Sequence, residues 1–167
     1  MSKSFIVRKY QSIDMEQCRS LWRELTEWHR EIYQDPNIGG VHPEDYFDKH
    51  LAKVGPDNLW VAVHNSNVVG LVGLMTQNDE LEIEPLIVSK THRSKGIGKS
   101  LIETVIAEAR DKGVRYLNVS PVARNTNAIQ FLYEQGFRNL GRIQMFIDFS
   151  DYKWKQGPDF FGCRFKF

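Results

Sequence analysis

The sequence predicts an α/β fold in which strands and helices alternate around one mixed sheet. Two observations support this prediction. Short runs rich in β-branched and aromatic residues recur along the chain, and segments with apolar residues at helical spacing lie between them. The 167 residues are enough for one domain with its own core, and no internal repeat or low-complexity linker interrupts them. We therefore expect residues 1–167 to form a single domain.

Residues 1–58 predict one strand followed by two helices. A β-prone run spans residues 5–10. Ser12 is the expected N-cap of the first helix, whose apolar residues recur at helical spacing as far as Trp28. Pro43 suits the first position of the second helix, because its fixed φ is already helical.

Residues 59–88 predict three consecutive strands. Runs over 59–64 and 68–75 flank the turn Asn65-Ser66-Asn67, which predicts a β-hairpin. In the third strand, carboxylates alternate with apolar residues and therefore share one face: Glu80, Glu82 and Glu84. Because a proline inside a central strand is tolerated mainly at a bulge, we expect a bulge or splay near Pro85.

The second half of the chain continues the alternation. A long amphipathic helix is expected over residues 96–112, and a strand follows over 116–119. A shorter helix over 125–135 and one or two strands over 138–149 complete the prediction. Residues 150–167 form an aromatic extension, which we expect to be packed, either on its own sheet or at a homodimer interface.

The turn before the long helix is basic and carries two glycines. Such a turn leaves backbone N–H groups without partners and aims them, with the positive end of the helix dipole, at a point that attracts phosphate. Two better-known phosphate loops do not match. A P-loop would need glycine in place of Arg93, and a dinucleotide fingerprint would need it in place of Leu101. A purely structural role for the glycines in a tight turn is the alternative.

Two motifs in this chain resemble those of the GNAT N-acetyltransferase superfamily. The first is Arg93-x-x-Gly96-x-Gly98, which follows the apolar run Leu86-Ile87-Val88. The second, over residues 125–137, is similar to the family's Asn-x-x-Ala-hydrophobic-x-Phe-Tyr-x-x-x-Gly-Phe helix. The resemblance is clear over residues 59–149 and weak over 1–58. It implies a mixed, mostly antiparallel sheet with splayed fourth and fifth strands, flanked by about four helices.

The resemblance implies that acetyl-CoA is the co-substrate and lies between the splayed strands. Its pantetheine arm is expected along the backbone of Leu86, Ile87 and Val88. Its pyrophosphate is expected at the basic turn and the start of the helix, over Arg93, Ser94, Lys95, Gly96, Ile97, Gly98, Lys99 and Ser100. Asn125 matches the asparagine that hydrogen-bonds the pantetheine arm, and a helix N-cap is its alternative or additional role.

The activity implied by the resemblance is direct transfer of the acetyl group to a primary amine. An amine with a pKa of about 10.4 must lose a proton before it attacks, so a carboxylate near the cleft is useful. Glu84 matches the place of that base in several members, and a solvated strand face is the alternative. The tyrosine that often protonates the departing thiolate aligns with Leu132, so Tyr133 and water are the candidate acids.

The acceptor is expected to be a small-molecule or peptide amine bound by the first two helices and their loop. The acidic face of the third strand favours a cationic acceptor. Candidate lining residues are Trp22, Trp28, His29, Tyr33 and His42, although helical spacing also fits a core position for both tryptophans. A second function stays open, in which the same fold binds acyl-CoA as a sensor without turnover.

Composition argues against several other partners, cofactors and locations. The net charge is +1 with scattered basic residues, which argues against a nucleic-acid partner. Cys18 and Cys163 lie far apart, and the histidines lack ligand spacing, so we expect no disulfide scaffold and no metal. No apolar run approaches the roughly 20 residues of a membrane span, and the N-terminus lacks the apolar core of a secretory signal. These features predict a cytoplasmic protein without a membrane partner.

Overall fold

A computed structural model describes residues 4–77 and 80–167. The chain forms two compact units, Met1–Ser120 and Pro121–Phe167, and each is described by itself below. That both belong to one domain stays a prediction.

The first unit is built on a five-stranded sheet whose strands follow one another in chain order. The strands are β1 Ile6–Lys9, β2 Leu59–His64, β3 Asn67–Gln77, β4 Glu80–Val88 and β5 Leu117–Val119. All neighbours are antiparallel except β4 and β5, which are parallel. A parallel pair needs a crossover connection, and helix α3, Ile97–Asp111, lies in it. The predicted mixed, mostly antiparallel sheet is confirmed.

Two helices precede β2, namely α1, Met15–Tyr33, and α2, Asp45–Val54. The predicted N-cap at Ser12 is wrong, because that residue lies in a short 3-10 helix and α1 starts after Asp14. The Asp14 carboxylate accepts a hydrogen bond from the Gln11 amide at 2.8 Å and pairs with Arg8 at 2.7 Å. These bonds fix Asp14 at the end of the 3-10 turn, directly before α1.

Helices α1 and α2 pack on the opposite face of the sheet from α3. Leu71 of β3 belongs to the apolar core that Cys18 and Phe47 bring from α1 and α2. Its neighbour Gly70 faces α3, because successive strand residues point to opposite faces. A Cβ on Gly70 would lie 3.0 Å from a Leu101 methyl carbon, so glycine permits the close approach of α3.

The predicted bulge in β4 is confirmed. Val72 of β3 pairs with Leu86, whereas Leu74 pairs with Ile83, so Glu84 and Pro85 together lie opposite Gly73. Two residues against one is the arrangement of a β-bulge. A Cβ on Gly73 would collide with the Glu84 carbonyl oxygen, which explains the glycine on the facing strand.

The predicted splay begins at the same place. β5 pairs with β4 only over Leu81–Ile83 and ends at Val119, which lies beside Ile83. The remainder of β4, from Glu84 to Val88, extends beyond that end. The second half of β4 therefore remains paired with β3 on one side, but on the other side it extends beyond its pairing with β5.

The second unit contains helix α4, Thr126–Glu134, and a small hairpin of β6, Gln156–Phe160, and β7, Cys163–Lys166. With α1, α2 and α3, this makes four α-helices in the described parts of the chain, as predicted. The tail is partly packed on itself, since the Trp154 ring lies 4.8 Å from that of Tyr152.

The strands predicted over 138–149 are wrong. This segment has no regular secondary structure, and many of its apolar side chains are exposed, Phe149 by 94%. A β-prone run forms a strand only where a partner strand and a face to cover are at hand. The sequence pattern indicates the β-propensity of the segment, but it does not indicate whether a partner strand lies beside it.

Candidate functional site

The connection between β4 and α3 forms the predicted turn. A single 3-10 turn, Lys90–His92, is followed by two residues with left-handed backbone, Ser94 at φ 60° and Gly96 at φ 80°. Gly96 is the N-cap of α3, and a side chain there would be strained by the positive φ. We call residues 89–99 the phosphate loop, after its predicted ligand.

The amides at the end of this loop precede the hydrogen-bond ladder of α3. The ladder starts with Ser100 N–H, which donates to the Gly96 carbonyl at 3.1 Å. The N–H groups of Ile97, Gly98 and Lys99 lie one turn earlier and so have no intrahelical acceptor. Together with the helix dipole they make a point of positive potential suited to an anion.

The side chains predicted around the pyrophosphate divide into two groups. Arg93 and Lys95 are exposed and donate to loop carbonyls, Arg93 Nε to Val88 at 3.2 Å and Lys95 Nζ to Thr91 at 3.0 Å. The side chains of Ile97 and Ser100 are instead buried. Ile97 can therefore contact an anion only through its backbone N–H, and the Ser100 N–H already donates to Gly96, whereas the exposed cations can move towards an anion.

The three carboxylates of β4 share a face as predicted, but they have different partners. Glu80 accepts hydrogen bonds from Tyr116 Oη at 2.9 Å and Asn118 Nδ2 at 2.8 Å. Glu82 accepts one from Ser120 Oγ at 2.5 Å. Glu84 lies at the bulge, beyond the end of β5, and its side chain is exposed. Of the three, Glu84 is the one placed beside the open part of β4.

His50 of α2 contacts the bulge and was missed by the sequence reasoning. Its ring is 94% buried and lies 5.1 Å from the Trp22 ring, and its Nε2 lies 2.9 Å from the Glu84 carbonyl oxygen. Burial lowers the pKa of His50, although the nearby Glu84 opposes this. Since a carbonyl can only accept, Nε2–H must donate to it. No local pattern could have revealed a bond between residues 34 positions apart.

The residues predicted for the acceptor pocket lie in different surroundings. Trp22 packs against His50 and Phe47, with ring centroids 6.2 Å apart in the second pair, so its core alternative is the better description. Trp28 lies under the Arg93 guanidinium. His29 is half-buried, and burial lowers its pKa. Tyr33 is half-buried at the end of α1, and His42 is exposed, 3.7 Å from Glu44.

Asn125 and Tyr133 lie in the second unit. Asn125 caps α4, because its Oδ1 accepts a hydrogen bond from the Ala128 amide at 3.2 Å. Leu132 is buried, whereas Tyr133 is 56% exposed and lies under the Arg138 guanidinium. The cap role of Asn125 is confirmed. Its contact with pantetheine and the acid role of Tyr133 stay predictions.

Among residues 4–77 and 80–167, no cluster of three or more histidine, cysteine or acidic residues is arranged to hold a metal ion. In the same residues no helix combines the length and apolar character that a membrane crossing requires.

The Acetyltransferase (GNAT) family profile matches residues 22–137. Among curated proteins, N-acetyltransferase 8 of Rattus norvegicus is 33% identical over 95 residues, which are 53% of this chain and 43% of the rat protein. The chain thus spans less than half the length of that relative. The predicted family resemblance is confirmed.

Solved structures show the same fold. A GNAT-family acetyltransferase of Staphylococcus aureus superposes with a TM-score of 0.67 at 21% identity and covers 83% of this chain and 87% of its own. The PaiA N-acetyltransferase of Thermoplasma acidophilum, solved in complex with coenzyme A, gives a TM-score of 0.66 at 19% identity. That match covers 99% of this chain and 97% of the other.

Proposed function

Because this chain belongs to the GNAT acetyltransferase family, we propose that it transfers an acetyl group from acetyl-CoA to a primary amine. The observation that carries the proposal is the end of the β4–β5 ladder. β5 stops beside Ile83, while β4 continues to Val88 and leads directly into the phosphate loop. An open strand edge followed by an anion site suits a ligand with an extended amide arm and a pyrophosphate.

Binding of acetyl-CoA would use the backbone more than side chains. The amide arm of pantetheine can pair with Leu86, Ile87 and Val88 as an added strand would. The pyrophosphate would accept hydrogen bonds from the amides at the start of α3, with charge support from Arg93, Lys95 and Lys99. The PaiA relative, which has this fold, was solved with coenzyme A bound.

The reaction needs one proton acceptor and one site for developing negative charge. Glu84 would take the proton from the ammonium form of the acceptor, directly or through water. The free amine then attacks the thioester carbonyl, forming the C–N bond. The nitrogen of this intermediate loses its second proton to water as the C–S bond breaks, which gives the amide and the CoA thiolate. The backbone N–H of Ile87 or Val88, next to the bulge, would stabilise the oxyanion of the intermediate.

The thiolate is a good leaving group, because a thiol of this kind has a pKa of about 8.5. It can therefore take its proton from water, and Tyr133 is the alternative donor. The acceptor is a small-molecule or peptide amine. A cationic amine would meet Glu84, since Glu80 and Glu82 already accept hydrogen bonds from β5 and from Ser120.

One observation favours a second candidate function. At the position where the family's tyrosine is expected, this chain has the buried Leu132. A fold that keeps the cofactor site but lacks a general acid would suit an acyl-CoA sensor. Release of CoA thiol in the presence of an amine separates the two functions, because a sensor binds acetyl-CoA and releases none.

The first test is calorimetric titration with acetyl-CoA, with ATP and NAD as control ligands. Gly96→Glu places a carboxylate at the start of α3 and should weaken acetyl-CoA binding about tenfold or more. Gly113→Glu is the matched control. Gly113 also has positive φ, at 68°, and open space around it, but lies beyond the other end of α3. It should change binding by less than about twofold.

Two outcomes would contradict the proposal. A folded wild-type protein that does not bind acetyl-CoA would exclude both the transferase and the sensor. Equal losses of affinity in Gly96→Glu and Gly113→Glu would show that the start of α3 does not bind the pyrophosphate.

A further inference from the structure

One face of α1 contacts the phosphate loop from outside. The Glu24 carboxylate accepts a hydrogen bond from the backbone N–H of Lys90. Trp28 lies one helical turn further on, and its ring centroid is 5.5 Å from the Arg93 guanidinium carbon. Residues four apart lie on the same face of a helix. A single face of α1 thus contacts both ends of the turn from Lys90 to Arg93.

Other contacts on this part of the loop come from the sheet and from the loop itself, including the His92 ring, which lies 5.5 Å from the His64 ring of β2, and the bond from Arg93 to the Val88 carbonyl. Ser89 N–H donates to the Val69 carbonyl at 2.9 Å, and His92 N–H donates to Ser89 at 2.8 Å. Between α1 and the start of β3 lies an open cleft of about 270 Å³, lined in part by Glu24, Ser89 and His92. Because the cleft is open, apolar packing does not fill this space. The two contacts from α1 therefore tie both ends of the turn to one helix.

The charge of Glu24 makes a direct role in phosphate binding implausible on electrostatic grounds. A carboxylate beside the loop repels a pyrophosphate and does not attract it. Its hydrogen bond to an amide, in contrast, needs only an acceptor oxygen, and a glutamine side chain has one as well. Glutamine at position 24 can therefore hold the loop as glutamate does, and neither side chain needs to bind the ligand.

We propose that Glu24 and Trp28 are positioning residues that hold the phosphate loop in the shape that presents the amides at the start of α3. They determine the affinity for the pyrophosphate of acetyl-CoA without touching it. The inference rests on the proposed function, because it requires that the pyrophosphate binds at this loop.

The first experiment measures amide hydrogen exchange in the protein without ligand. Glu24→Ala should accelerate exchange at Lys90 about tenfold or more, because the N–H loses its acceptor. Glu24→Gln should restore most of the protection. Glu27→Ala, an exposed carboxylate on the same helix, is the matched control and should leave Lys90 unchanged. Equal exchange in wild type and Glu24→Ala would overturn the proposal.

The second experiment compares two acetyl donors by NMR titration. S-acetylpantetheine has the amide arm of acetyl-CoA but no pyrophosphate. Glu24→Ala should weaken acetyl-CoA binding about tenfold and S-acetylpantetheine binding by less than about twofold. Glu24→Gln should bind both donors within about twofold of wild type. Trp28→Leu should also weaken the binding of acetyl-CoA more than that of S-acetylpantetheine, but its loss of acetyl-CoA affinity should be smaller, about threefold.

Each remaining outcome is decisive. Equal losses for both donors would show a general structural role and overturn the proposal, as would unchanged acetyl-CoA binding. If Glu24→Ala does not fold, judged by thermal melting, the selectivity of Trp28→Leu decides. If the wild type does not bind acetyl-CoA, the proposed function fails. If the wild type binds acetyl-CoA but the variants lose affinity for both donors equally, only the positioning role of Glu24 and Trp28 fails.

Discussion

The two halves of β4 share one strand and one alternation of buried and more exposed side chains but differ in what lies beside them. The first half, around Ile83, has β3 on one side and β5 on the other, and its carboxylates accept hydrogen bonds from β5 side chains and from Ser120. The second half begins at the bulge and extends past β5. The same residue type therefore joins strands in one half and is exposed in the other.

This difference shows how a mostly regular sheet can let half of one strand extend past the end of its neighbour. The bulge shifts the register at Glu84 and Pro85, and the glycine opposite leaves room for the displaced carbonyl. His50 donates to that carbonyl from α2. Both halves pair with β3, but only the first half also pairs with β5, and the bulge between them is supported by the His50 bond.

The largest expected effect tests the chemical difference between the halves. Glu84→Gln should lower kcat at neutral pH by about 10²-fold, because it removes the carboxylate that we propose as the base. Glu82→Gln is the matched change in the closed half and should lower kcat by less than about threefold. Thiol release from acetyl-CoA at saturating amine measures both. Similar kcat values in the two variants would show that Glu84 and Glu82 do not differ in their effect on the reaction.

The next effect tests the bulge itself. Gly73→Ala should destabilise the protein by about 2 kcal/mol, because the added Cβ collides with the Glu84 carbonyl and a Leu59 methyl carbon. Gly141→Ala is the control, since nothing lies within 4 Å of a Cβ there. Urea unfolding gives both free energies. A loss below about 0.5 kcal/mol in Gly73→Ala would mean that the bulge relaxes freely.

The smallest effect concerns the histidine that supports the open half. Burial lowers the pKa of His50 in the folded protein, so the unfolded chain binds its proton more readily. The contribution of neutral His50 to stability is therefore complete above a pH of about 6.5 and declines as pH falls below it. His50→Gln keeps an N–H donor for the Glu84 carbonyl and removes the titration.

Unfolding free energies measured between pH 5 and pH 8 should accordingly fall less steeply in His50→Gln. The difference in slope should be at most about 1.4 kcal/mol per pH unit, the limit for one proton. His29 contributes in the same direction, since burial also lowers its pKa, so some slope will remain. Identical slopes in wild type and variant would show that His50 does not titrate as its burial requires.

Local signals in the sequence predicted much of the first unit. The Asn65-Ser66-Asn67 turn adopts positive φ at Asn65 and Ser66 and closes the hairpin between β2 and β3, as predicted. Pro85 marked the bulge, and Gly96 marked the start of α3. Each of these features has a local cause, namely a residue whose allowed backbone angles or missing N–H restrict its neighbours.

Predictions that needed a partner elsewhere in the chain succeeded less often. The β-prone segment 138–149 formed no strand, and Trp22 and Trp28 ended in different surroundings although both lie on α1. The pattern of a segment states which side chains could be buried together. It does not state which element covers them, since that depends on packing between distant parts of the chain.

The sequence by itself determined the order of elements as far as α4, the hairpin turn, the bulge and the glycine-bearing turn before α3, because each arises from residues adjacent in the chain. Only the tertiary structure decided which carboxylate of β4 remains exposed, that His50 reaches the bulge, and that Glu24 holds Lys90. The last two bonds join residues 34 and 66 positions apart. Their geometry follows from sheet register and from the packing of α1 and α2, which no local pattern encodes.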